Sequence, residues 1–319
     1  MTRHFPTQGF VRRGRPVQAV TDLSLAIAPG EAVGLVGESG SGKSTVGRLL
    51  LGLLPPTAGH VLFEGQDLAA APRAALRRLR ARMQLVFQDP YGSLDPRRSV
   101  GAQITDALDI HDIVPPAERP ARVEALLANV GLAPEHAARL PHEFSGGQRQ
   151  RIGIARALAT NPDFLVADEP VSALDVSVQA QVLALLADLR RRLGLAMLFI
   201  SHDLPVVRHL CDRVVVMYLG RVMEDGPTEQ VFRAPRHPYT RALLSAAPSL
   251  YPERRRTRIL LQGEPPSPAN PPSGCVFRTR CPHALPACAG PVPALRPIGE
   301  RHRAACIRDE IVQASNPPG

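Results

Sequence analysis

A glycine-rich segment that ends in a lysine has the clearest chemical meaning in this sequence. Residues 37–45 read Gly-Glu-Ser-Gly-Ser-Gly-Lys-Ser-Thr and fit the pattern G-x-x-x-x-G-K-[ST]. In such a loop the backbone N–H groups surround phosphates, the lysine reaches the β- and γ-phosphates, and the next serine binds Mg²⁺. Lys43 is the only lysine in a chain that otherwise uses arginine. The predicted phosphate-binding residues are Gly37, Glu38, Ser39, Gly40, Ser41, Gly42, Lys43, Ser44 and Thr45.

Two acids and a histidine form a second group of candidates, each at the end of an apolar stretch. Asp168 and Glu169 follow Phe164–Ala167, and His202 follows Ala196–Ile200. Asp168 is suited to hold Mg²⁺, Glu169 to orient or deprotonate an attacking water, and His202 to contact a γ-phosphate. A histidine after a strand is more often a capping or loop residue, so the prediction for His202 depends on the other motifs.

These candidates need strands that end at one edge of a sheet. The apolar run that ends at Val36 predicts a strand, and the spacing of Val46, Leu49 and Leu50 predicts a helix behind the glycine-rich segment. The carboxyl ends of parallel strands line the ligand crevice of an open α/β sheet. The sequence therefore predicts an α/β domain that carries these side chains along that edge.

Composition excludes several other classes of protein. The 319 residues are 44% hydrophobic and 21% charged, which argues for a large globular domain with an appendage and against disorder. No apolar run has the roughly 18 to 20 residues of a membrane-spanning helix, and no secretory signal follows the N-terminal arginines, so we expect a cytoplasmic chain. The net charge of +9 lies on helical stretches without interleaved aromatics, which favours solvated faces over a nucleic-acid site.

A second glycine segment gives the chain a second phosphate-facing surface. Residues 144–151 read Phe-Ser-Gly-Gly-Gln-Arg-Gln-Arg ahead of a predicted helix, and a helix N-terminus of this kind is a backbone anion site. With this segment, the chain resembles the ATP-binding subunits of ABC transporters. Their motifs occur here in family order: the phosphate loop 37–45, a Q-loop glutamine, the signature 145–148, Walker B 164–168, a glutamate, a D-loop 172–175 and a switch histidine. Phe144 stands where leucine is usual.

The resemblance implies a P-loop ABC ATPase fold that binds ATP and Mg²⁺. Ser44, Gln88 and Asp168 correspond to the Mg²⁺ site, and Glu169, His202 and Gln88 to the catalytic group. One nucleotide cannot fill both glycine segments, and the family pairs two subunits head to tail, each ATP lying between the phosphate loop of one and the signature of the other. The residues implied to serve the partner's nucleotide are Ser145, Gly146, Gly147, Gln148 and Asp175.

The adenine contact is implied by the family's aromatic residue upstream of the phosphate loop. Phe5 corresponds to that position, and Phe10 is the alternative. The strand that family members place before this aromatic is missing from the sequence pattern. We therefore expect a late start codon or a truncated sheet edge.

Three further stretches resemble the ATP-binding proteins of oligopeptide and dipeptide importers. They are residues 86–97 around the Q-loop, residues 237–246, and the Gly-Glu-Pro-Pro-Ser-Pro segment that begins at Gly263. The predicted division is an ATPase domain at 1–246 with a helical arm at about 96–145, a proline-rich linker at 247–273 and a cysteine-rich cap at 274–319. The arm is expected to meet the membrane subunits, with Gln88 at its entrance.

The cap contains four of the five cysteines. Cys275, Cys281, Cys288 and Cys306 have the spacing C-x5-C-x6-C-x17-C, and in a reducing compartment four close cysteines indicate a metal more than disulfides. Zinc and an iron–sulfur cluster both accept four thiolates, and free structural cysteines are the plain alternative. The importer branch implies a [4Fe–4S] cluster at matching positions. Cys211 is expected to be buried packing.

The implied function is ATP hydrolysis that drives uptake of di- or oligopeptides. The implied partners are a second ATPase subunit, identical or different, two integral-membrane permeases and an extracytoplasmic peptide-binding protein, with this chain peripheral on the cytoplasmic face. Nickel, glutathione or oligosaccharide remain alternative cargoes.

A soluble ABC ATPase that acts on ribosomes or DNA is the alternative from another class, although such proteins usually need a second cassette or a long insertion. A metal-binding regulator would leave the ATP motifs unexplained.

Overall fold

The computed structural model describes residues 1–6, 14–89, 91–247 and 259–308. The strands are β1 Arg3–Phe5, β2 Val17–Val20, β3 Ala32–Val36, β4 Leu62–Phe63, β5 Gln66–Asp67, β6 Met83–Val86, β7 Phe164–Asp168, β8 Ala196–Ile200, β9 Arg213–Tyr218, β10 Arg221–Pro227, β11 Arg296–Gly299 and β12 His302–Ala304. The α-helices are α1 Lys43–Leu50, α2 Arg73–Arg82, α3 Val100–His111, α4 Arg119–Asn129, α5 Gly146–Leu158, α6 Val176–Leu193, α7 Leu204–Leu210, α8 Thr228–Arg233 and α9 Pro238–Ala246.

The main sheet has eight strands in the order β11-β12-β10-β9-β3-β8-β7-β6. Its central strands β9, β3, β8, β7 and β6 run parallel, and β10, β12 and β11 continue it in antiparallel pairs. Strands β3 and β8 are buried along their whole length, as expected for unbroken apolar runs covered by helices on both faces. The α/β prediction is confirmed, and β3, β7 and β8 end at the same edge of the sheet.

A small antiparallel pair lies beside the phosphate loop. β1 pairs with β2, with Phe5 opposite Val17, and the Ala19 carbonyl oxygen of β2 is next to Gly42. β1 contains Phe5 and does not precede it, so the expectation about a strand before Phe5 stays a prediction. Phe5 itself ends β1, and its ring lies 4.7 Å from the Arg3 guanidinium carbon. Phe10, the alternative, lies outside the described residues.

Residues 96–145 contain two α-helices and three 3-10 turns. Helix α3 begins at the N-cap Ser99, whose hydroxyl accepts the Ala102 N–H, and α3 packs against α4 and α5. The apolar positions Val123, Leu126 and Leu127 of α4 are buried in the main core. Within the part of the chain that the structure describes, no helix combines the length and apolarity that a membrane span requires.

The C-terminal region extends the main sheet instead of forming a separate cap. The β11–β12 hairpin pairs with β10, so the chain around residue 300 adds strands to the main sheet. The carboxylate of Glu224 in β10, fully buried, accepts hydrogen bonds from the backbone N–H groups of Arg236 and His237 and lies 2.8 Å from His302 Nε2. The sequence prediction treats this region as an appendage because local patterns carry no information on its pairing partner.

His237 makes the folding stability of this region depend on pH. Burial lowers the pKa of its imidazole to about 4, although the nearby Glu224 carboxylate opposes that shift. Between pH 7.5 and 5 the unfolded chain therefore takes up a proton that the folded chain does not bind. We expect His237 to account for a loss of roughly 2 kcal/mol of unfolding free energy over that range. Urea titrations at both pH values measure it, and His237→Gln should show a correspondingly smaller loss; an equal loss in both proteins would contradict the assignment.

Candidate nucleotide site

The phosphate loop has a backbone that glycine makes possible. Gly42 has φ 101° and precedes α1, and a Cβ on it would stand 2.0 Å from the Ala19 carbonyl oxygen. A side chain at this position would therefore both strain the backbone and collide with β2. The loop leads directly into α1, which begins at Lys43, as the motif requires.

The Lys43 ammonium is buried and hydrogen-bonded to backbone carbonyl oxygens of the loop. It is 6% exposed and donates hydrogen bonds to the carbonyl oxygens of Gly37 at 2.8 Å and Glu38 at 2.9 Å. Burial lowers the pKa of Lys43, and the carboxylates of Glu169, Asp168 and Glu38 oppose that shift. The Ser41 hydroxyl is 3% exposed and has no hydrogen-bond partner among the described residues, which fits a loop shaped for an anion.

Ser44 and Asp168 meet across the site. The Ser44 hydroxyl donates to Asp168 Oδ1 at 3.0 Å, joining the start of α1 to the end of β7. Burial raises the pKa of Asp168, and the neighbouring Glu169 carboxylate raises it further. An oxygen pair of this type suits Mg²⁺, which uses few protein oxygens together with phosphate oxygens and water. The chemistry of the pair therefore fits the metal that the sequence predicts.

Glu169 contacts both Gln88 and His202. Gln88 Nε2 donates to Glu169 Oε2 at 2.9 Å, and His202 Nδ1 lies 3.4 Å from Glu169 Oε1. Glu169 has φ 45°, an uncommon conformation for a residue with a side chain, and its N–H donates to the Ile200 carbonyl of β8 at 2.9 Å. The structure thus brings together Gln88, Glu169 and His202, from three different strand ends.

The signature segment caps α5. Ser145 Oγ accepts the Gln148 N–H at 3.3 Å, and Gln148 Oε1 accepts the Ser145 N–H at 2.9 Å, which is a capping box. A Cβ on Gly147 would stand 2.3 Å from Val178 Cγ1, so only glycine lets α5 approach α6 here. Asp175, the N-cap residue of α6, is exposed, and Val176 after it is 82% exposed.

Contacts between the Q-loop and α5 were not predicted from the sequence. The Arg156 guanidinium donates to the Ser93 carbonyl at 2.6 Å, and the Arg149 guanidinium carbon lies 4.1 Å from the centre of the Tyr91 ring. Gln150 donates weakly to the Phe87 carbonyl at 3.4 Å. These side chains join the segment around Gln88 to the helix that begins with the signature. Their residue types carry no motif that could reveal the pairing.

A large groove opens from the site toward the helical arm. It has a volume of about 1290 Å³ and runs from Asp168 and Gln88, between α2 and α3, to Ile110. Its wall on the α2 side carries Arg73, Arg77 and Arg80.

The four C-terminal cysteines line one small cavity, together with His237 and His283. Its volume is about 20 Å³, and the Cys275 N–H donates to the Cys288 carbonyl. Burial raises the pKa of the Cys281 thiol to about 11 and also raises that of Cys275. Within residues 259–308 and the other described segments, no three or more His, Cys, Asp and Glu side chains have a metal-binding arrangement. The four thiols therefore line one cavity, but they are not arranged as the ligands of a metal ion. Cys211 is buried, as predicted.

Two family models match the chain. Residues 20–172 match the ABC transporter model, and residues 223–288 match the C-terminal region of oligopeptide/dipeptide transporters. The first match contains the phosphate loop, signature and both acids, and the second contains three of the four C-terminal cysteines.

Relatives match over nearly the full length. The chain is 56% identical over 311 residues to a Brucella ovis protein named as a peptide import ATP-binding protein, covering 98% of this chain and 96% of that one. It is 50% identical over 309 residues to the oligopeptide transport ATP-binding protein AppF of Bacillus subtilis, covering 95% and 94%.

A solved ABC cassette has the same fold. The dimeric, post-hydrolysis structure of MJ0796 with ADP and Pi is 28% identical with a TM-score of 0.62, covering 70% of this chain and 96% of that one. This structural match and the full-length relatives agree on the same family. The chain therefore belongs to the ATP-binding proteins of ABC transporters that carry the oligopeptide/dipeptide transporter C-terminal region.

Proposed function

We propose that this ATPase drives the uptake of di- and oligopeptides as a subunit of an ABC importer. The observation that carries the catalytic part is the contact of Gln88 and His202 with Glu169, beside the Ser44–Asp168 pair. The importer part is supported by the C-terminal match and by relatives named for peptide transport.

In this mechanism, Lys43 releases its two loop carbonyls and binds the β- and γ-phosphates of ATP. Ser44, Asp168 and Gln88 hold Mg²⁺, which neutralises phosphate charge when bound. Glu169 orients the attacking water and accepts its proton, and His202 contacts the γ-phosphate. Phe5, at the end of β1, would stack on the adenine.

Hydrolysis in the proposed mechanism needs two subunits. Ser145, Gly146, Gly147 and Gln148 would face the phosphates held by the partner's loop, with Asp175 at the same interface. The exposure of Asp175 and Val176 supports this, since these residues are accessible to a partner. The cassette of MJ0796, a structural relative, is a dimer.

The permeases are the proposed partners of the groove beside the arm. Gln88 lies at one end of the groove and contacts Glu169. A permease segment bound in the groove would therefore be coupled, through Gln88, to the presence or absence of the γ-phosphate. Such docking would hold the chain on the cytoplasmic face of the membrane as a peripheral subunit. An extracytoplasmic binding protein would deliver the peptide to the permeases.

We further propose that Cys275, Cys281, Cys288 and Cys306 bind a metal group. Their common cavity supports this, and the reducing cytoplasm disfavours disulfides. A [4Fe–4S] cluster is the proposed occupant, and a single zinc ion is the alternative. Either would need the thiols to lose protons that burial now retains.

Metal content separates these occupants. Protein purified without oxygen should absorb visible light and contain about four irons and four sulfides per chain. Cys281→Ser should remove the absorbance, while the matched change Cys211→Ser, outside the cavity, should keep it. One zinc per chain would support the alternative, and neither metal would leave the cysteines as packing residues.

Uptake measurements test the transport proposal. A strain without this subunit should lose most uptake of labelled tri- and pentapeptides, and the wild-type chain should restore it while Glu169→Gln does not. Unchanged peptide uptake together with lost uptake of nickel, glutathione or an oligosaccharide would keep the importer and change its cargo.

A further inference from the structure

Glu38, the second residue of the phosphate loop, is held from three sides. Its N–H donates to the Tyr239 hydroxyl at 2.9 Å, its carbonyl accepts from Lys43, and its carboxylate accepts from Arg280. The Arg280 contact is an ion pair in which one guanidinium nitrogen lies 2.7 Å and 3.0 Å from the two carboxylate oxygens. Both Tyr239 and Arg280 come from beyond the residues that match the ABC transporter model.

Arg280 belongs to a firmly packed part of the C-terminal region. Its side chain is 9% exposed and lies 3.4 Å from the Tyr218 hydroxyl. Phe277, fully buried and three residues earlier, packs its ring against Tyr218 at 5.3 Å and against Tyr239 at 5.2 Å. This aromatic cluster fixes the position from which Arg280 reaches the loop.

The electrostatics give Arg280 a specific role. A triphosphate bound by the loop is strongly negative, and Glu38, Asp168 and Glu169 already place three carboxylates around Lys43. An unpaired Glu38 carboxylate would repel the phosphates, and residue 38 of the loop would lose its side-chain restraint. Arg280 both neutralises Glu38 and restrains the loop.

We propose that Arg280 is a positioning residue for ATP, through which the C-terminal region completes the phosphate loop. The geometry makes nucleotide affinity depend on the folding of residues 259–308. The proposal rests on ATP binding alone and is independent of the transported cargo.

A double-mutant cycle on nucleotide affinity tests this coupling. Binding of a fluorescent ATP analogue to the full-length chain should weaken about tenfold in Arg280→Ala. In the Glu38→Gln background, the same Arg280→Ala change should shift the Kd by less than about threefold, because no carboxylate remains to be neutralised. Arg280→Lys should recover part of the affinity, since it keeps the charge.

The controls separate positioning from general damage. Arg278→Ala removes an arginine that bonds Ser273 in the same region, and its Kd should stay within about twofold of wild type. In steady-state hydrolysis, Arg280→Ala should raise KM while kcat changes by less than about threefold. An unchanged Kd in Arg280→Ala, or an equal loss in both backgrounds, would overturn the proposal. Absent binding by wild type would instead refute the ATP site itself.

Discussion

Replacing Glu169 by glutamine is expected to stop ATP turnover while ATP still binds. A general base contributes about 10² to 10⁴ in rate, and glutamine cannot accept the proton from water. The amide has the same size, so it preserves the contact with Gln88 and leaves Lys43 and Ser44 in place. Phosphate release should fall at least about a hundredfold, and the Kd for the fluorescent analogue should stay close to that of wild type.

Glu229→Gln is the matched control for this change. Glu229 is exposed and pairs with Arg208 on the surface, away from the site. Its substitution should leave phosphate release and thermal stability within experimental scatter. Undiminished hydrolysis in Glu169→Gln would remove Glu169 from its proposed role, whereas loss of nucleotide binding would show that the residue acts on binding.

Replacing Lys43 by alanine is expected to abolish nucleotide binding at ordinary concentrations. Its ammonium is the buried positive charge next to Asp168, Glu169 and Glu38, and without it the site presents carboxylates to a polyanion. We expect the Kd to rise more than about a hundredfold, as for loss of a buried charge partner. Titration with the fluorescent analogue in the presence of Mg²⁺ measures this change.

Two further variants show whether charge or shape matters at this position. Lys43→Arg keeps the charge, but its larger planar guanidinium replaces a compact ammonium that is buried in the loop, so binding should remain severely weakened. Arg208→Ala removes a surface cation and should bind like wild type. Tight binding in Lys43→Ala would contradict the phosphate role.

The local parts of the site were predictable from the sequence. The phosphate loop, the strand ends before Asp168 and His202, and the N-cap serine of the signature are each encoded within about ten neighbouring residues. Because parallel strand ends meet at one edge, their convergence also followed from the pattern. The structure bears this out in the contacts of Ser44 with Asp168 and of Gln88 with Glu169.

Long-range contacts were not predictable in the same way. Arg280 and Glu38 are 242 positions apart, and neither the arginine nor its neighbours show a motif that points to the loop. The same holds for β12, whose three residues give no sign that they pair with β10. These contacts depend on tertiary packing around Phe277 and Glu224, which periodicity within a single segment does not encode.

Affinity purification from native membranes tests the central claim most directly. The tagged Glu169→Gln chain, extracted gently in detergent with Mg-ATP, should bring down two multi-span permeases and either a second ATPase or a second copy of itself in stoichiometric amounts. That result would establish the importer subunit, and the permeases' binding protein would then reveal the cargo. Recovery in the soluble fraction with ribosomes or DNA, and without permeases, would contradict the transport role and leave only the ATPase chemistry.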